Sequence, residues 1–467
     1  MIIFSQAITP RLHYICDFIG KELTGQAFQL TNVIKEFRNH PGPRINYSNE
    51  TLTDDESRLQ PHSLLFENGI KPQVVDCFEV SGNKAFFRTN GDFPFDIFAA
   101  TFYLLSRYEE YLPHKKDKYG RYAHENSLAY REGFISKPLV NLWLQEFKRV
   151  LAHKFPGIEF RKQHFSFEPT YDIDEAFCYR HKPWWKTLGG YARSVSRGQW
   201  GEVKQRRNVL KRKQDDPYDS FNWIKKLHSV YQHLDAYVFF LVAEKTNRYD
   251  KNISPFKEAM REVVEKFSAG NPIPGKPGSE QLFYVAVHPS WQSGDHPRLL
   301  KKEIDTIFEL SEKAFFGSRQ HFIRFTLPDT FRQLSEAGIL DDYSMGYGSI
   351  NGFRASVASD FYWYDLKNEK KSNLRLHPFC YMDANSFFEQ KYSPQQALEE
   401  MIGYFNIIKS VNGTMITIWH NTFLGTHSRF AGWREMYSEF LRKIYYQIPF
   451  VNAQIDNEGM DKIHFPH

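Results

Sequence analysis

The chain is poor in cysteine, and the few it has are scattered. Cys16, Cys77, Cys178 and Cys380 lie far apart, and no two form a CxxC pair. That spacing argues against a zinc knuckle and against a disulfide framework. Long hydrophobic runs are also missing. No stretch approaches the roughly 18 apolar residues of a membrane span. The opening Met1-Ile2-Ile3-Phe4-Ser5-Gln6 lacks a basic segment followed by a long apolar run. A transmembrane segment is therefore not expected, and the reading is a soluble, cytoplasmic protein with peripheral membrane contact left open. An excess of one charge is absent as well: the net charge is only +5 over 467 residues. With no nucleic-acid fold signature beside it, this leaves no case for a nucleic-acid partner.

What is present is enough apolar material for two domains. Hydrophobic residues make up 41% and aromatics 16% of a chain too long for one typical domain. Some of the abundant Phe and Tyr could line a groove that stacks on sugar rings. Basic residues concentrate in one place. Arg193, Arg197, Lys204, Arg206, Arg207, Lys211, Arg212 and Lys213 face a single acid, Glu202. Such a run fits a solvated helix face, an anionic polymer or a membrane surface.

Residues 1–160 read as an N-terminal α/β accessory domain. Helical periodicity spans residues 11–21. A second helix carries Phe98, Phe102 and Leu105, and a third spans residues 138–153. Arg107, Glu109, Glu110, His114, His124 and Glu125 read as surface charge with a few buried pairs, or as binding groups. Phe155-Pro156-Gly157 breaks the pattern. Over 161–467 strand-like runs alternate with helical ones. The apolar runs are residues 237–242, 283–287, 322–325 and 415–419. Helical stretches fall at 220–233, 255–268, 301–314 and 394–410. Alternation of this kind implies parallel strands with crossover helices, and a (β/α) barrel of about seven strands fits the length.

Chemistry gathers at the ends of those runs. Thr170-Tyr171-Asp172-Ile173-Asp174 follows Phe165-Ser166-Phe167, so two carboxylates two residues apart point the same way at a strand end. Asp174 also reads as a helix N-cap. His288 ends residues 283–287 and is followed by Pro289-Ser290-Trp291-Gln292-Ser293. Ser318-Arg319-Gln320-His321 precedes residues 322–325. Asp341-Asp342 follows a Gly-Ile-Leu turn, and His420 ends residues 415–419. Aspartate and histidine together suit a divalent metal with an open position, most naturally zinc. With a carboxylate base and a histidine acid, these are the parts of an ester or amide hydrolase. Gly346, Gly348 and Gly352 lack a P-loop pattern and read as a mobile loop. Arg354 within it reads either as an anion holder or as the partner of a structural acid.

In order and spacing these residues resemble the polysaccharide deacetylase (NodB-homology, carbohydrate esterase 4-like) family. Thr170-Tyr171-Asp172-Ile173-Asp174 is similar to its first motif, T-F-D-D-G, with one residue inserted. The resemblance makes Asp172 the base and Asp174 a metal ligand. His288 matches the first histidine of H-[ST]-x-x-H, whereas Gln292 stands at the second, so the other ligand falls to His296 or to a water. The resemblance also makes Arg319 the arginine of the third motif and His420, in Ile418-Trp419-His420, the general acid. The likeness covers residues 164–425. The whole chain resembles a divergent branch of the family with an extra N-terminal domain, in which segments like Ser344-Met345-Gly346-Tyr347 and Gly352-Phe353-Arg354-Ala355 recur. It implies a NodB-like barrel and a metal-dependent hydrolase that removes acetyl groups from an N- or O-acetylated carbohydrate. Two rival readings stand beside it. One is a glycan-binding barrel whose metal site is eroded at Gln292. The other is a glycosidase using paired carboxylates such as Asp172 and Asp342.

Overall fold

The computed structural model describes residues 1–231, 234–269, 271–272, 280–281 and 283–449. Its chain forms two units. One holds Met1–Phe165, Phe325–Cys380 and Asn406–Met415; the other holds Ser166–Arg324, Tyr381–Phe405 and the chain from Ile416. The sequence reading divides the chain once, near residue 160, whereas the chain beyond that point contributes to both units. Packing explains the return to the first unit. Tyr364 lies with its ring 5.1 Å from that of Phe102 and 5.0 Å from that of Tyr14. The Asn141 side chain donates to Ser359 and accepts from the Ala358 N–H.

In the first unit, four short parallel strands run in the order Gln29–Thr31, Ile2–Phe4, Arg44–Asn46, Ser57–Arg58. Helix Pro10–Thr24 buries Leu12, Ile15, Cys16, Ile19 and Leu23, a stripe at helical spacing. Thr9 caps its start by accepting from Leu12 N–H, and Gly25 at φ 80° ends it. Asp341–Asp342, expected at a barrel mouth, is a strand of this unit, parallel to Lys370–Leu376, which is antiparallel to Phe361–Asp365. Arg354 is buried here and makes two bonds to Glu110, whose carboxylate also accepts from Arg107 Nε at 2.7 Å. Arg107 also bonds Glu109 at 2.9 Å. Two cations and two anions thus balance out of water, and Arg354 is a structural partner.

The second unit is built on a parallel sheet. Its strands are β1 (Ser166–Ile173), β2 (Ala236–Phe240), β3 (Phe283–Val287), β4 (Gly317–Ser318), β5 (Tyr381–Met382) and β6 (Thr414–His420). They lie in the order β4-β3-β2-β1-β6-β5. Residues 283–287 form the strand that their apolar run predicts. Parallel neighbours need crossovers, and helices Phe221–Val230, Glu258–Ser268 and Pro297–Leu310 supply them. The helix expected over 220–233 is described to Val230, and 232–233 lie outside the described residues. Among the described residues no pairing returns β4 to β5, so the fold shown is a mixed α/β one with a large, parallel-rich sheet.

One expected strand is absent. Residues 322–325 start in a short 3-10 turn, His321–Ile323, with Phe322 at φ 62° and Ile323 at φ 54°. A β-branched residue at positive φ is strained, and such strain persists only where surrounding contacts enforce it. Here the turn follows β4 at once and buries His321.

Two outcomes are expected from this packing. Glu110→Ala leaves the buried Arg354 guanidinium without a carboxylate, while Arg107 keeps Glu109, and should lower unfolding free energy by about 3–5 kcal/mol in denaturant titration. His228 donates from Nδ1 to Leu234 O, and its Nε2 accepts from Tyr171 O–H at 2.7 Å. Burial holds this imidazole neutral and pushes its pKa down from 6.5 to about 4. The unfolded chain takes up the proton that the folded one refuses. The contribution is therefore complete above the unfolded pKa and disappears as pH falls from 6.5 toward about 4. At 1.36 kcal/mol per unit it amounts to about 3 kcal/mol. Urea melts of His228→Gln should show a smaller acid-side loss than the native chain over that window.

Candidate metal centre

The register of the sheet brings the site together. Ile173 pairs with Phe240, Phe240 with Val287, and Val287 with Ser318. The next residue on three of these strands is chemical: Asp174 after β1, His288 after β3, Arg319 after β4. The ladder continues through this row, with Leu241 N–H bonding Ile173 O, His288 N–H bonding Phe240 O, and Arg319 N–H bonding Val287 O. Asp172, two residues before Asp174, shares its face of the strand. On the other flank, β6 ends in His420, and Met382 of β5 pairs with Ile418, which puts Asp383 beside it.

Asp174 is the focus. Its Oδ1 lies 3.2 Å from His288 Nε2, and its Oδ2 lies 3.4 Å from His321 Nε2 and 3.6 Å from His420 Nε2. The other nitrogen of each ring is already engaged. His288 Nδ1 bonds Arg319 O. His321 Nδ1 bonds Asp250 Oδ1 at 2.8 Å, and His420 Nδ1 bonds Asp383 Oδ1 at 2.6 Å. A carbonyl or carboxylate accepts, so each Nδ1 carries hydrogen, and the neutral ring turns its Nε2 lone pair toward the Asp174 carboxylate. Lone pairs facing a carboxylate need a positive charge between them.

Protons fill that need in the metal-free chain. Burial would raise the Asp174 carboxyl, but His321, His288 and His420 outweigh it and hold it well below the carboxylate range. Burial would lower His321, yet Asp174 and Asp250 raise it to about 9. Burial likewise opposes the His420 imidazolium, and Asp383, then Asp174 and Asp172, lift it to about 10. A metal is the other way to supply the charge. One donor atom each from Asp174, His288 and His321 lie within 4.8 Å of one another. One carboxylate with two imidazoles, each ring held from behind, is a donor set that fits a divalent cation.

The residues read from sequence separate cleanly. Asp172, Asp174, His288, Arg319 and His420 converge. Arg319 Nη1 donates to Asp172 Oδ1 and to Thr170 Oγ1, both at 2.7 Å, and its guanidinium lies 4.3 Å from the Phe239 ring centre. Asp172 Oδ2 lies 3.7 Å from His288 Nε2. His296 does not join them. It is exposed and occupies the N-cap position of helix Pro297–Leu310 without a side-chain capping bond. The second imidazole of the triad is His321. Gln292, at the motif's usual histidine position, donates to Asp250 Oδ2 at 3.2 Å and so steadies the carboxylate behind His321. Asp250 also accepts from Trp291 N–H at 2.8 Å. Asp342 belongs to the first unit, where it accepts from Ser344 N–H and O–H.

Sequence reasoning noted His321 just before residues 322–325 without giving it a role, and it missed Asp250 and Asp383. Asp250 sits in a loop with no periodic signal. Asp383 follows a two-residue strand too short to register as one.

Comparisons with known proteins reach part of the chain. Residues 1–156 match a family described as a family of unknown function (DUF7033). No curated protein matches. Among solved structures, the chain is similar to a candidate polysaccharide deacetylase from Mycobacterium smegmatis, at 11% identity and a TM-score of 0.35 over 66% of this chain and 96% of that one. It is also similar to Puue allantoinase, at 14% identity and a TM-score of 0.36 over 62% of this chain and 85% of that one.

Proposed function

We propose that the chain is a metal-dependent hydrolase that removes acetyl groups from an N- or O-acetylated carbohydrate, on a NodB-like (β/α) barrel of about seven strands. The observation that carries this reading is the convergence of three imidazole Nε2 atoms on Asp174, each ring pinned through Nδ1. Asp174, His288 and His321 hold the metal, with zinc the natural occupant of a carboxylate–imidazole set. When bound, it supplies Lewis-acid polarisation of a carbonyl and a more acidic water. Asp172 is the base. Arg319 occupies its Oδ1, which leaves Oδ2 to take the proton of the attacking water. His420 lies 3.6 Å from Asp174 and outside the triad, so its Nε2 serves as the acid for the departing amine or alkoxide. The pull of Asp383 keeps it protonated for that step. The carbohydrate class is supported by the order of the deacetylase-like motifs. His321 completes the ligand set that Gln292 leaves short, which weighs against the eroded-site alternative.

Two experiments test this. In calorimetric zinc titrations, His321→Ala should abolish tight binding. Asp250→Asn, which loosens the ring behind the ligand, should weaken it ~10–100-fold. His296→Ala should leave affinity unchanged. Loss on His296→Ala would return the second histidine to that residue. In acetate-release assays on a panel of acetylated glycans, Asp172→Asn should lower kcat by ~100–10,000-fold. His420→Gln should do the same for N-acetyl substrates yet spare 4-nitrophenyl acetate, whose phenolate leaves without a proton. Equal losses on both substrates would deny His420 the acid role, and no acetate release at all would overturn the proposal.

A further inference from the structure

The basic run of residues 193–213 is not a uniform solvated face. It forms the last turn of helix Trp184–Ser196, all of helix Trp200–Leu210 and the three residues after it. The two are tied by Ser194 O–H bonding Glu202 and by the Arg206 guanidinium lying 5.4 Å from the Tyr191 ring centre. Together with the loop of residues 244–257, this pair walls a cleft of about 790 Å³. The cleft adjoins the metal centre along the chain twice. Glu175 lines it and follows Asp174; Lys251 lines it and follows Asp250.

Its charge is lopsided. Seven of its lining residues are lysine or arginine and three are glutamate. The three acids are already engaged. Glu175 faces Lys182 at 3.2 Å and Lys251 at 3.9 Å. Glu202 accepts from Ser194, and Glu244 pairs with Lys302, which lies outside the lining. Lys186, Arg193, Arg248 and Lys257 are exposed and pair with no carboxylate among the described residues. Four unmatched cations in one concavity focus a positive field on whatever enters it. Cations alone would fit any anion. Trp185, 59% exposed, lines the same cleft and gives a flat apolar plate of the kind on which a sugar ring stacks.

We infer that this cleft binds an anionic glycan, so that the acetylated substrate carries negative charges on the sugars beside the one that is hydrolysed. The inference rests on the hydrolase reading above and names its substrate class. Carboxylate-bearing and sulfate-bearing sugars share the chemistry that Lys186, Arg193, Arg248 and Lys257 recognise. The cleft selects the substrate, and the Asp172, Asp174, His288, His321 and His420 cluster acts on it.

Binding to the full-length protein tests this without requiring turnover. The probes are oligogalacturonate, a heparin oligosaccharide and neutral cellohexaose, measured by calorimetry at low and high salt. At least one anionic probe should bind more tightly than cellohexaose and weaken as salt rises; which one does identifies the anion. Lys186→Glu with Arg193→Glu and Arg248→Glu should weaken it by at least ~10-fold, since three repulsive contacts replace three attractive ones. Trp185→Ala should weaken it too. Arg298→Glu with Lys301→Glu, and Trp200→Ala, which change exposed residues outside the cleft, should not. Equal binding of neutral and anionic probes overturns the inference, as does indifference to the triple reversal. So does capture by phosphatidylglycerol vesicles with no oligosaccharide binding, which would make the surface a lipid contact. Anionic binding without zinc affinity or acetate release would retain the cleft and reject the hydrolase. Acetate release from neutral glycans, untouched by the reversal, would do the opposite.

Discussion

One carboxylate faced by three imidazoles is the constraint around which the second unit is arranged. Asp174 is close to His288, His321 and His420 at 3.2, 3.4 and 3.6 Å. A half-buried carboxylate is poorly hydrated, and three lone pairs pointed at it make matters worse. The arrangement persists only if positive charge enters it, as protons or as a metal. Each supporting contact serves that end. The Arg319 carbonyl, Asp250 and Asp383 fix which nitrogen of each ring faces inward. Arg319 also answers the second aspartate with its guanidinium, so that one residue orients both the His288 ring and the Asp172 carboxylate.

The sheet makes this arrangement possible because register, unlike loop conformation, is set by many bonds at once. Residue pairing from Ile173 through Phe240 and Val287 to Ser318 aligns four strand ends. A slip by one residue in β3 would turn His288 to the other face of the sheet. Strain appears just past the end of β4. His321 lies beyond a two-residue strand, and the backbone after it takes positive φ at Phe322 and Ile323. Contacts from His321 to Asp250 and to Pro289 O hold that turn in place.

How much of this is legible in the sequence follows from the same distinction. Apolar runs ending in a polar residue are visible, and they yield β1, β3 and β6 with Asp172, Asp174, His288 and His420. Residues 322–325 have a strand's composition, but a histidine held by Asp250 precedes them and the chain turns. β4 and β5 are two residues long and carry no pattern to read, which hides Asp383 entirely. Asp250 is held by loop geometry, through Asn247 and the Trp291 N–H, and no spacing in the chain announces it. The division into units is hidden for a different reason. Residues 325–380 look like barrel sequence, yet Tyr364 among them packs on Tyr14 and Phe102, far away in sequence.

Gln292 shows how a motif read by position can miss the imidazole that the fold brings to Asp174. At the position where the deacetylase-like pattern places a histidine, an amide cannot compete with imidazole as a zinc donor. Its side chain instead bonds Asp250, which bonds His321, whose Nε2 faces Asp174. The second imidazole that faces Asp174 thus comes from the residues after β4, and Gln292 supports it through Asp250. Two things make that arrangement workable. The residues after β3 and β4 meet over one loop, so either can reach the same point. An amide also donates well to a carboxylate where a neutral histidine offers a single donor. A ligand set is therefore better identified by which nitrogen of each ring is already committed than by where the ring falls in the sequence.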